Sequence, residues 1–337
     1  MNAPLGSPLR ILLSQQAKES LQGEVARVMG GRPYELVSIE TATSCAPDVA
    51  DIDVAFISRD VTGLSTKHEP ADSLQACYAV LRRSVTLKWI HIHSAGADRP
   101  IYVELRARGV TVTTSSGANA DVVAQSALAG LLALSRRFPQ LMAAQRAHAW
   151  APLLGAREPP DLCGQTAVLV GWGPIGQRIG AFLQLLGMQL VVVRQTAIPS
   201  TDALTMVTFE ALHDVLPRAD GLVLACPLTD KTRGLLDARA LQALPRGACL
   251  VNVARGEVVV EAELVAALKS AHLGGACLDV FQHEPLAADS PLWDMENVIV
   301  TPHSAGHSSG NALRVTAQFL ENLRRWNSGD NLRNVIQ

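Results

Sequence analysis

The sequence has few aromatic residues and little net charge. Phe, Trp and Tyr together make up 4% of its 337 residues, and charged residues make up 18%, with a formal net charge of −2. A chain without a basic excess lacks the electrostatic footprint of a nucleic-acid-binding protein. We therefore expect no nucleic-acid partner.

Long hydrophobic runs are also missing. The most apolar stretch, ALAGLLAL at 127–134, is far shorter than the roughly 20 residues of a membrane-spanning helix. The apolar run near the amino terminus is too short for a signal peptide, and no cleavage site follows it. We expect neither a membrane association nor a signal peptide.

Paired cysteines are the third absence. The chain has six cysteines and no C-x-x-C pair, and they occur singly at Cys45, Cys77, Cys163, Cys226, Cys249 and Cys277. In a chain of this length, scattered cysteines are typical of reduced core residues. This pattern predicts a cytoplasmic protein without a disulfide framework.

Hydrophobic residues are abundant, at 48% of the chain, and they occur in short runs. The chain is longer than those that usually fold around a single hydrophobic core, so we expect two domains. The first series of predicted strands spans 9–14, 34–39, 53–58, 87–93 and 110–115. The second series spans 166–171, 189–194, 221–226, 248–254, 275–281 and 297–302. Helix-length segments between the strands predict an α/β protein with two doubly wound parallel sheets.

Two helices frame the second series. A long helix is predicted over 119–138, with Pro139 ending it and an irregular segment over 139–164. Helical periodicity returns over 312–329, at the end of the chain.

The stretch VLVGWGPIGQRIG at 168–180 contains the G-x-G-x-x-G pattern of a dinucleotide site. It follows a predicted strand and opens a predicted helix, which is the context that the pattern requires. Gly171 suits the tight turn, Gly173 the approach of a pyrophosphate, and Gly176 close packing of helix on strand. The helix N-terminus would offer free N–H groups to the phosphates.

Arg194 ends the next predicted strand, where an NAD site usually has an acidic residue for the ribose hydroxyl. An arginine suits the 2′-phosphate of NADP, which its planar guanidinium can bind through two hydrogen bonds. A solvated arginine at a strand end is the alternative. The missing carboxylate disfavours NAD in either case, so the sequence predicts NADP as the preferred cofactor.

Three further stretches each end a strand of the second series, at the edge where ligands bind open α/β sheets. They supply Arg255, Asp279, Glu284 and His303. Reduction of an α-keto acid needs a cation for the carboxylate and a proton donor for the developing alkoxide. Arg255 suits the first task and His303 the second, with Glu284 orienting the ring and favouring its charged form.

Seven stretches occur in one order along the chain: HSAGADRPIY, GANADVVAQSALAGLLAL, GWGPIG, CPLTDKTRGLL, NVARGEVV, LDVFQHEP and TPHSAG. Together they resemble the D-isomer-specific 2-hydroxyacid dehydrogenases over nearly the whole length, and most closely the NADP-preferring glyoxylate and hydroxypyruvate reductases. The resemblance implies an NAD(P)H-dependent enzyme that interconverts small 2-keto acids and D-2-hydroxy acids.

The resemblance also implies roles for individual residues. Arg255, Glu284 and His303 would form the catalytic set, and the backbone amides of Ala95 and Gly96 would bind the substrate carboxylate beside Arg255 and His303. Asp279 would lie at the nicotinamide end of the site. The cofactor-binding set would comprise Gly171, Gly173, Pro174, Ile175, Gly176, Arg194, Gln195, Cys226, Pro227, Val253, Ala254, Asp279 and Gly306.

The family's organisation implies a discontinuous, flavodoxin-like substrate domain of residues 1–118 and 307–337, and a Rossmann cofactor domain of residues 119–306. The 119–138 helix region would form a homodimer. Because the chain ends at 337, we expect no appended regulatory domain of the kind found in many phosphoglycerate dehydrogenases.

Two other functions stay open. One is a dehydrogenase of a larger D-2-hydroxy acid, and the other is a non-catalytic nucleotide-sensing module like the corepressors that share this fold. No metal site is predicted: His91 and His93 point to one face of a strand but lack a third ligand nearby. Arg59, His93, Trp150 and Trp293 could line a pocket, but packing and solvated surface roles explain them equally well.

Overall fold

The computed structural model describes residues 8–44, 51–66, 69–196 and 204–336. The chain forms two compact units. The first unit comprises Met1–Ala118 and Ser308–Gln337, and the second comprises Asn119–His307.

The first unit contains a parallel five-stranded sheet in the order β2-β1-β3-β4-β5, which is the flavodoxin-like order. Its strands are β1 (Leu9–Leu13), β2 (Tyr34–Ser38), β3 (Val54–Ile57), β4 (Trp89–Ile92) and β5 (Thr111–Thr114). Its helices are α1 (Gln15–Met29), α2 (Ile39–Ser44), α3 (Arg59–Thr62), α4 (Asp72–Arg83), α5 (Pro100–Ala107) and, near the end of the chain, α12 (Asn311–Ser328). The flavodoxin-like architecture predicted from the sequence is confirmed.

β4 shows how this sheet accommodates polar groups. The two ring nitrogens of His91 lie 2.8 and 3.1 Å from the hydroxyls of Thr113 and Ser115, and the Trp89 indole donates to Thr113 at 2.8 Å. Burial lowers the pKa of His91 to about 3, and the charge of His93 adds to the effect. His91 is therefore a neutral core residue.

The second unit contains a parallel seven-stranded sheet in the order β12-β11-β10-β9-β6-β7-β8, a Rossmann arrangement with one additional strand. Its strands are β6 (Thr166–Val170), β7 (Gln189–Arg194), β8 (Thr205–Thr208), β9 (Gly221–Leu224), β10 (Cys249–Asn252), β11 (Gly275–Leu278) and β12 (Val298–Val300). Its helices are α6 (Ala120–Ser135), α7 (Phe138–Arg146), α8 (Pro174–Leu185), α9 (Leu212–Val215), α10 (Ala238–Ala243) and α11 (Glu261–Lys269). Six of these strands match the predicted series.

Two elements of the second unit differ from the sequence prediction. β8 was not predicted, because this four-residue edge strand buries only Met206 and lacks a hydrophobic run. The long helix ends at Ser135 rather than at 138, and the segment predicted as irregular over 139–164 contains most of α7. Arg137 adopts a left-handed conformation with φ 55° after α6, and Pro139 lies in the first turn of α7. A proline fits there because the first helical N–H groups have no intrahelical partner.

The cysteines that the structure describes are free thiols, and Cys45 lies outside the described residues. Burial raises the pKa of Cys77, Cys226 and Cys277 to about 12 and that of Cys249 to about 11, whereas Cys163 is exposed. Among the described helices, none is both long and apolar enough to cross a membrane.

Candidate active site

The dinucleotide turn lies between β6 and β9, where the strand order of the second unit changes direction. Gly171 has φ 107°, and a Cβ atom there would lie 2.6 Å from the carbonyl oxygen of Ala225. A Cβ atom on Gly176 would lie 2.1 Å from the carbonyl oxygen of Gly171. Both positions therefore require glycine, because backbone occupies the space of a side chain.

Gly173 differs, since nothing lies within 4 Å of the position of its missing Cβ atom. It precedes α8, and Pro174 and Ile175 begin that helix. The free N–H groups of the helix N-terminus and the open space beside Gly173 would accommodate an anion. The turn thus fits the pyrophosphate of a dinucleotide.

Arg194 is half-buried at the end of β7, where it pairs in register with Thr208 of β8, and Gln195 after it is exposed. At the same edge of the sheet, Cys226 is buried and Pro227 is exposed after β9. Val253 is half-buried and Ala254 is buried after β10. The predicted cofactor residues of these three strands therefore lie at one sheet edge.

The loop after β10 contains Arg255 and is held by hydrogen bonds to the side chain of Asn252. The buried side chain of Asn252 donates from Nδ2 to the carbonyl of Arg255 at 3.1 Å, and its Oδ1 accepts from the amide of Ala254 at 3.0 Å. A Cβ atom on Gly256 would lie 1.9 Å from the carbonyl carbon of Phe281. Sequence reasoning missed Asn252; a polar residue at the end of a buried strand was the available signal.

Glu284 and His303 form the most direct contact of the site. Oε2 of Glu284 accepts from Nδ1 of His303 at 2.8 Å, and Oε1 accepts from the amide of Phe281 at 3.1 Å. The glutamate side chain is 15% exposed and the histidine side chain is 50% exposed. The carboxylate is thus held inside the site, while the ring reaches its surface.

Opposing effects act on the pKa of Glu284. Burial raises it, but the hydrogen bond and charge of His303, the Phe281 amide and the charge of Arg255 outweigh burial and lower it. Glu284 is therefore ionised at neutral pH and can only accept hydrogen bonds. With Nδ1 of His303 donating to Glu284, Nε2 is the nitrogen through which the ring can release a proton outward.

Asp279 and Gly306 lie on either side of the His303 loop. Asp279 is only 4% exposed, and a Cβ atom on Gly306 would lie 2.4 Å from Nδ2 of Asn119. Asp279 is therefore buried beside the loop, and Gly306 packs closely against Asn119.

In the first unit, the loop after β4 contains the predicted substrate amides. Ala95 and Gly96 are half-exposed, and the Ser94 hydroxyl donates to the Gly96 carbonyl at 2.8 Å. Nδ1 of His93 lies 3.2 Å from the Thr62 hydroxyl, so this histidine sits at the sheet edge rather than beside His91 in the core. Arg59 is exposed at the start of α3.

Residues 128–305 match the family model of the D-isomer specific 2-hydroxyacid dehydrogenase, NAD binding domain. The chain is 35% identical to (S)-sulfolactate dehydrogenase of Chromohalobacter salexigens, over 73% of this chain and 79% of that protein. It is similar in structure to a D-isomer specific 2-hydroxyacid dehydrogenase of Xanthobacter autotrophicus in complex with NADPH and MES, with 28% identity, 98% of both chains covered and a TM-score of 0.76.

The fold also resembles an NADPH-dependent glyoxylate/hydroxypyruvate reductase of Sinorhizobium meliloti in complex with NADP and sulfate. That protein is 25% identical, with 98% of both chains covered and a TM-score of 0.74. The chain belongs to the D-isomer specific 2-hydroxyacid dehydrogenase family. It is an NAD(P)-dependent oxidoreductase of that family.

The glycines of the turn can be tested as a pair. We expect Gly176→Ala to lose about 1–3 kcal/mol of stability, because its Cβ atom would overlap the Gly171 carbonyl. Gly173→Ala should leave stability within about 0.5 kcal/mol and weaken NADPH binding. Thermal unfolding and fluorescence titration measure the two effects. Unchanged NADPH affinity in Gly173→Ala would show that the open space beside this glycine does not receive the cofactor.

Proposed function

We propose that this enzyme is an NADPH-dependent reductase of small 2-keto acids, with glyoxylate and hydroxypyruvate as its substrates. The observation on which the proposal rests is the 2.8 Å hydrogen bond between His303 and Glu284, at the carboxyl edge of a nucleotide-binding sheet. Arg255 is close enough to this pair to lower the pKa of Glu284. A cation, a carboxylate and a proton donor are the groups that reduction of a keto acid requires.

Each residue has a separate task in this proposal. Arg255 binds the substrate carboxylate and polarises the carbonyl, and the amides of Ala95 and Gly96 bind the carboxylate as well. Bound NADPH supplies a hydride to the carbonyl carbon. His303 gives the proton on Nε2 to the carbonyl oxygen, and Glu284 stabilises the charged ring beforehand.

The cofactor preference rests on Arg194 at the end of β7. This is the position where an NAD site usually has an acidic residue for the ribose, and no acidic residue is next to Arg194 in the sequence. Its guanidinium would bind the 2′-phosphate of NADP in a charge-assisted contact. The relatives from Xanthobacter and Sinorhizobium, crystallised with NADPH and NADP, support this assignment. NAD would bind more weakly. The remaining contacts come from Gly171, Gly173, Pro174, Ile175, Gly176, Gln195, Cys226, Pro227, Val253, Ala254, Asp279 and Gly306.

A larger, doubly anionic substrate is the second candidate. The 35% identity to (S)-sulfolactate dehydrogenase favours it, because the keto form of sulfolactate carries a sulfonate as well as a carboxylate. Arg59 is a cation at the same sheet edge as the loop of Ala95 and Gly96. A corepressor-like module would bind the nucleotide without turning over any of these acids.

We also propose a homodimer formed through the 119–138 region, in a reducing, cytoplasmic setting consistent with the buried thiols. No residue of α7 is buried, and Phe138 and Met142 are 52% and 43% exposed. Together with Trp293 they line a groove of about 340 Å³. α7 begins at Phe138, the last residue of this region, and large apolar side chains exposed there are typical of a surface that a partner covers. The same groove is also lined by Arg146, Asp294 and Glu296.

The substrate and cofactor assignments can be measured together. We expect glyoxylate and hydroxypyruvate to have the highest kcat/KM among 2-keto acids, with NADPH preferred over NADH by about tenfold or more. Arg194→Asp should remove or reverse that preference and leave the ranking of keto acids unchanged. A higher kcat/KM for 3-sulfopyruvate would favour the second candidate, and absent turnover with every acid would favour the sensing module.

The proton donor can be tested by a pH profile of kcat/KM. In Glu284→Gln, the alkaline limb should move to lower pH, because the lost carboxylate no longer favours the charged ring. His303→Asn should reduce the rate by about 10²–10⁴ and remove this limb. A limb at the same pH in Glu284→Gln would mean that the glutamate does not act on the histidine.

The dimer can be tested by sedimentation equilibrium. We expect the unmodified protein to have twice the mass of one chain, and Met142→Glu to shift it towards the monomer because a charge would be buried in the interface. Val85→Glu is the matched control, since Val85 is 81% exposed and belongs to the first unit, outside the proposed interface region. A monomeric wild-type protein would contradict the proposal.

A further inference from the structure

The loop that contains His303 has an unusual backbone. His303 has φ 50°, a left-handed conformation that non-glycine residues seldom adopt. Its amide donates to the backbone carbonyl of Asp279 at 2.8 Å. Such a conformation persists only where the surrounding structure imposes it.

The carboxylate of Asp279 supplies that constraint. Its Oδ1 accepts from the Thr301 hydroxyl at 2.6 Å, from the Ser304 amide at 2.8 Å and from the Ala305 amide at 3.0 Å. Oδ2 lies 3.1 Å from the same Ala305 amide. The two successive amides after a left-handed residue form an anion-binding nest, and this nest is filled by a side chain of the protein itself.

A second connection fixes the far side of the same loop. The Ser126 hydroxyl of α6 donates to the Ala305 carbonyl at 3.1 Å. The loop between Thr301 and Ala305 is thus held from β11 by Asp279 and from α6 by Ser126. His303 projects from the middle of this held segment, and its Nδ1 reaches Glu284.

We propose that Asp279 is a positioning residue: its carboxylate binds the Ser304 and Ala305 amides and so holds His303 where its ring meets Glu284. The catalytic consequence rests on the proposed function, but the structural step does not depend on any substrate. This role is separate from the contact with the nicotinamide that the family resemblance implies for Asp279. The first affects the position of His303, and the second would affect binding of the cofactor.

Hydrogen–deuterium exchange tests the structural step in the cofactor-free protein. In Asp279→Ala, we expect the amides of Ser304 and Ala305 to exchange at least about tenfold faster, because they lose their acceptor. Asp279→Asn should restore much of the protection, since one amide oxygen can replace Oδ1. Asp220→Ala is the matched control: Asp220 also accepts a backbone amide, from Thr166, but at the opposite edge of the same sheet. It should leave exchange in the His303 loop unchanged.

Kinetics of the same variants test the catalytic step. We expect kcat/KM to fall about 10²-fold in Asp279→Ala and by less in Asp279→Asn, as for a displaced catalytic group. The alkaline limb of the pH profile should shift in Asp279→Ala as it does in Glu284→Gln. The Kd for NADPH, measured in parallel, reports separately on the expected contact of Asp279 with the cofactor. Thr301→Val, which removes one donor and keeps both amides, should have the smallest effect.

Two results would overturn the proposal. Unchanged exchange of the two amides in Asp279→Ala would show that the carboxylate does not hold the loop. A large loss of NADPH affinity with normal exchange would assign Asp279 to the cofactor. If Asp279→Ala does not fold, the other variants decide: exchange of the two amides should be faster in Asp279→Asn than in Thr301→Val, and unchanged in the Asp220→Ala control. A failure of the proposed function would appear separately, as absent turnover in the wild-type enzyme together with the predicted exchange pattern.

Discussion

Close backbone contact at one edge of the seven-stranded sheet is the constraint on which the site depends. Gly256 approaches the backbone of Phe281 so closely that a Cβ atom would overlap it, and Phe281 in turn donates its amide to Glu284. Close backbone approach therefore holds the loop of Arg255 against the loop of Glu284. Gly171 and Ala225 meet in the same way at the nucleotide turn. At both places, backbone contacts hold the loops at this sheet edge, and backbone has no side-chain rotamers to change.

The charged neighbours of Glu284 determine its ionisation state. Glu284 is largely buried, and burial alone would favour its neutral form. The hydrogen bond from His303, the Phe281 amide and the charge of Arg255 reverse that tendency. One carboxylate thus orients the ring and fixes which nitrogen faces outward, and in the proposed chemistry it also compensates the charge that the ring acquires. Asp279 is more deeply buried and hydrogen-bonded to backbone, which gives it a different task from that of Glu284.

The sequence allowed much of this architecture to be predicted. Short apolar runs identified eleven of the twelve described strands, and glycine spacing with its strand and helix context located the nucleotide turn. The carboxyl ends of three parallel strands placed Arg255, Glu284 and His303 at one edge, and the structure brings Glu284 and His303 into contact. The hydrogen bonds of Asp279 were not predictable, because Thr301, Ser304 and Ala305, more than 20 residues further along the chain, supply them. Those of Asn252 form within its own loop and depend on the conformation of that loop. Pro139 was misassigned because a proline is equally compatible with the end of one helix and the first turn of the next.

The hydrogen bond between His303 and Glu284 can be observed directly by ¹⁵N NMR of histidine-labelled protein, with the His303→Asn spectrum identifying the signal. The geometry predicts that Nδ1 of His303 keeps its proton when the ring is neutral, with a downfield proton shift that is lost in Glu284→Gln. Nε2 would then be the nitrogen that gains and loses the proton. A neutral ring protonated on Nε2, with a spectrum unaffected by Glu284→Gln, would contradict the pairing on which the proposed chemistry rests.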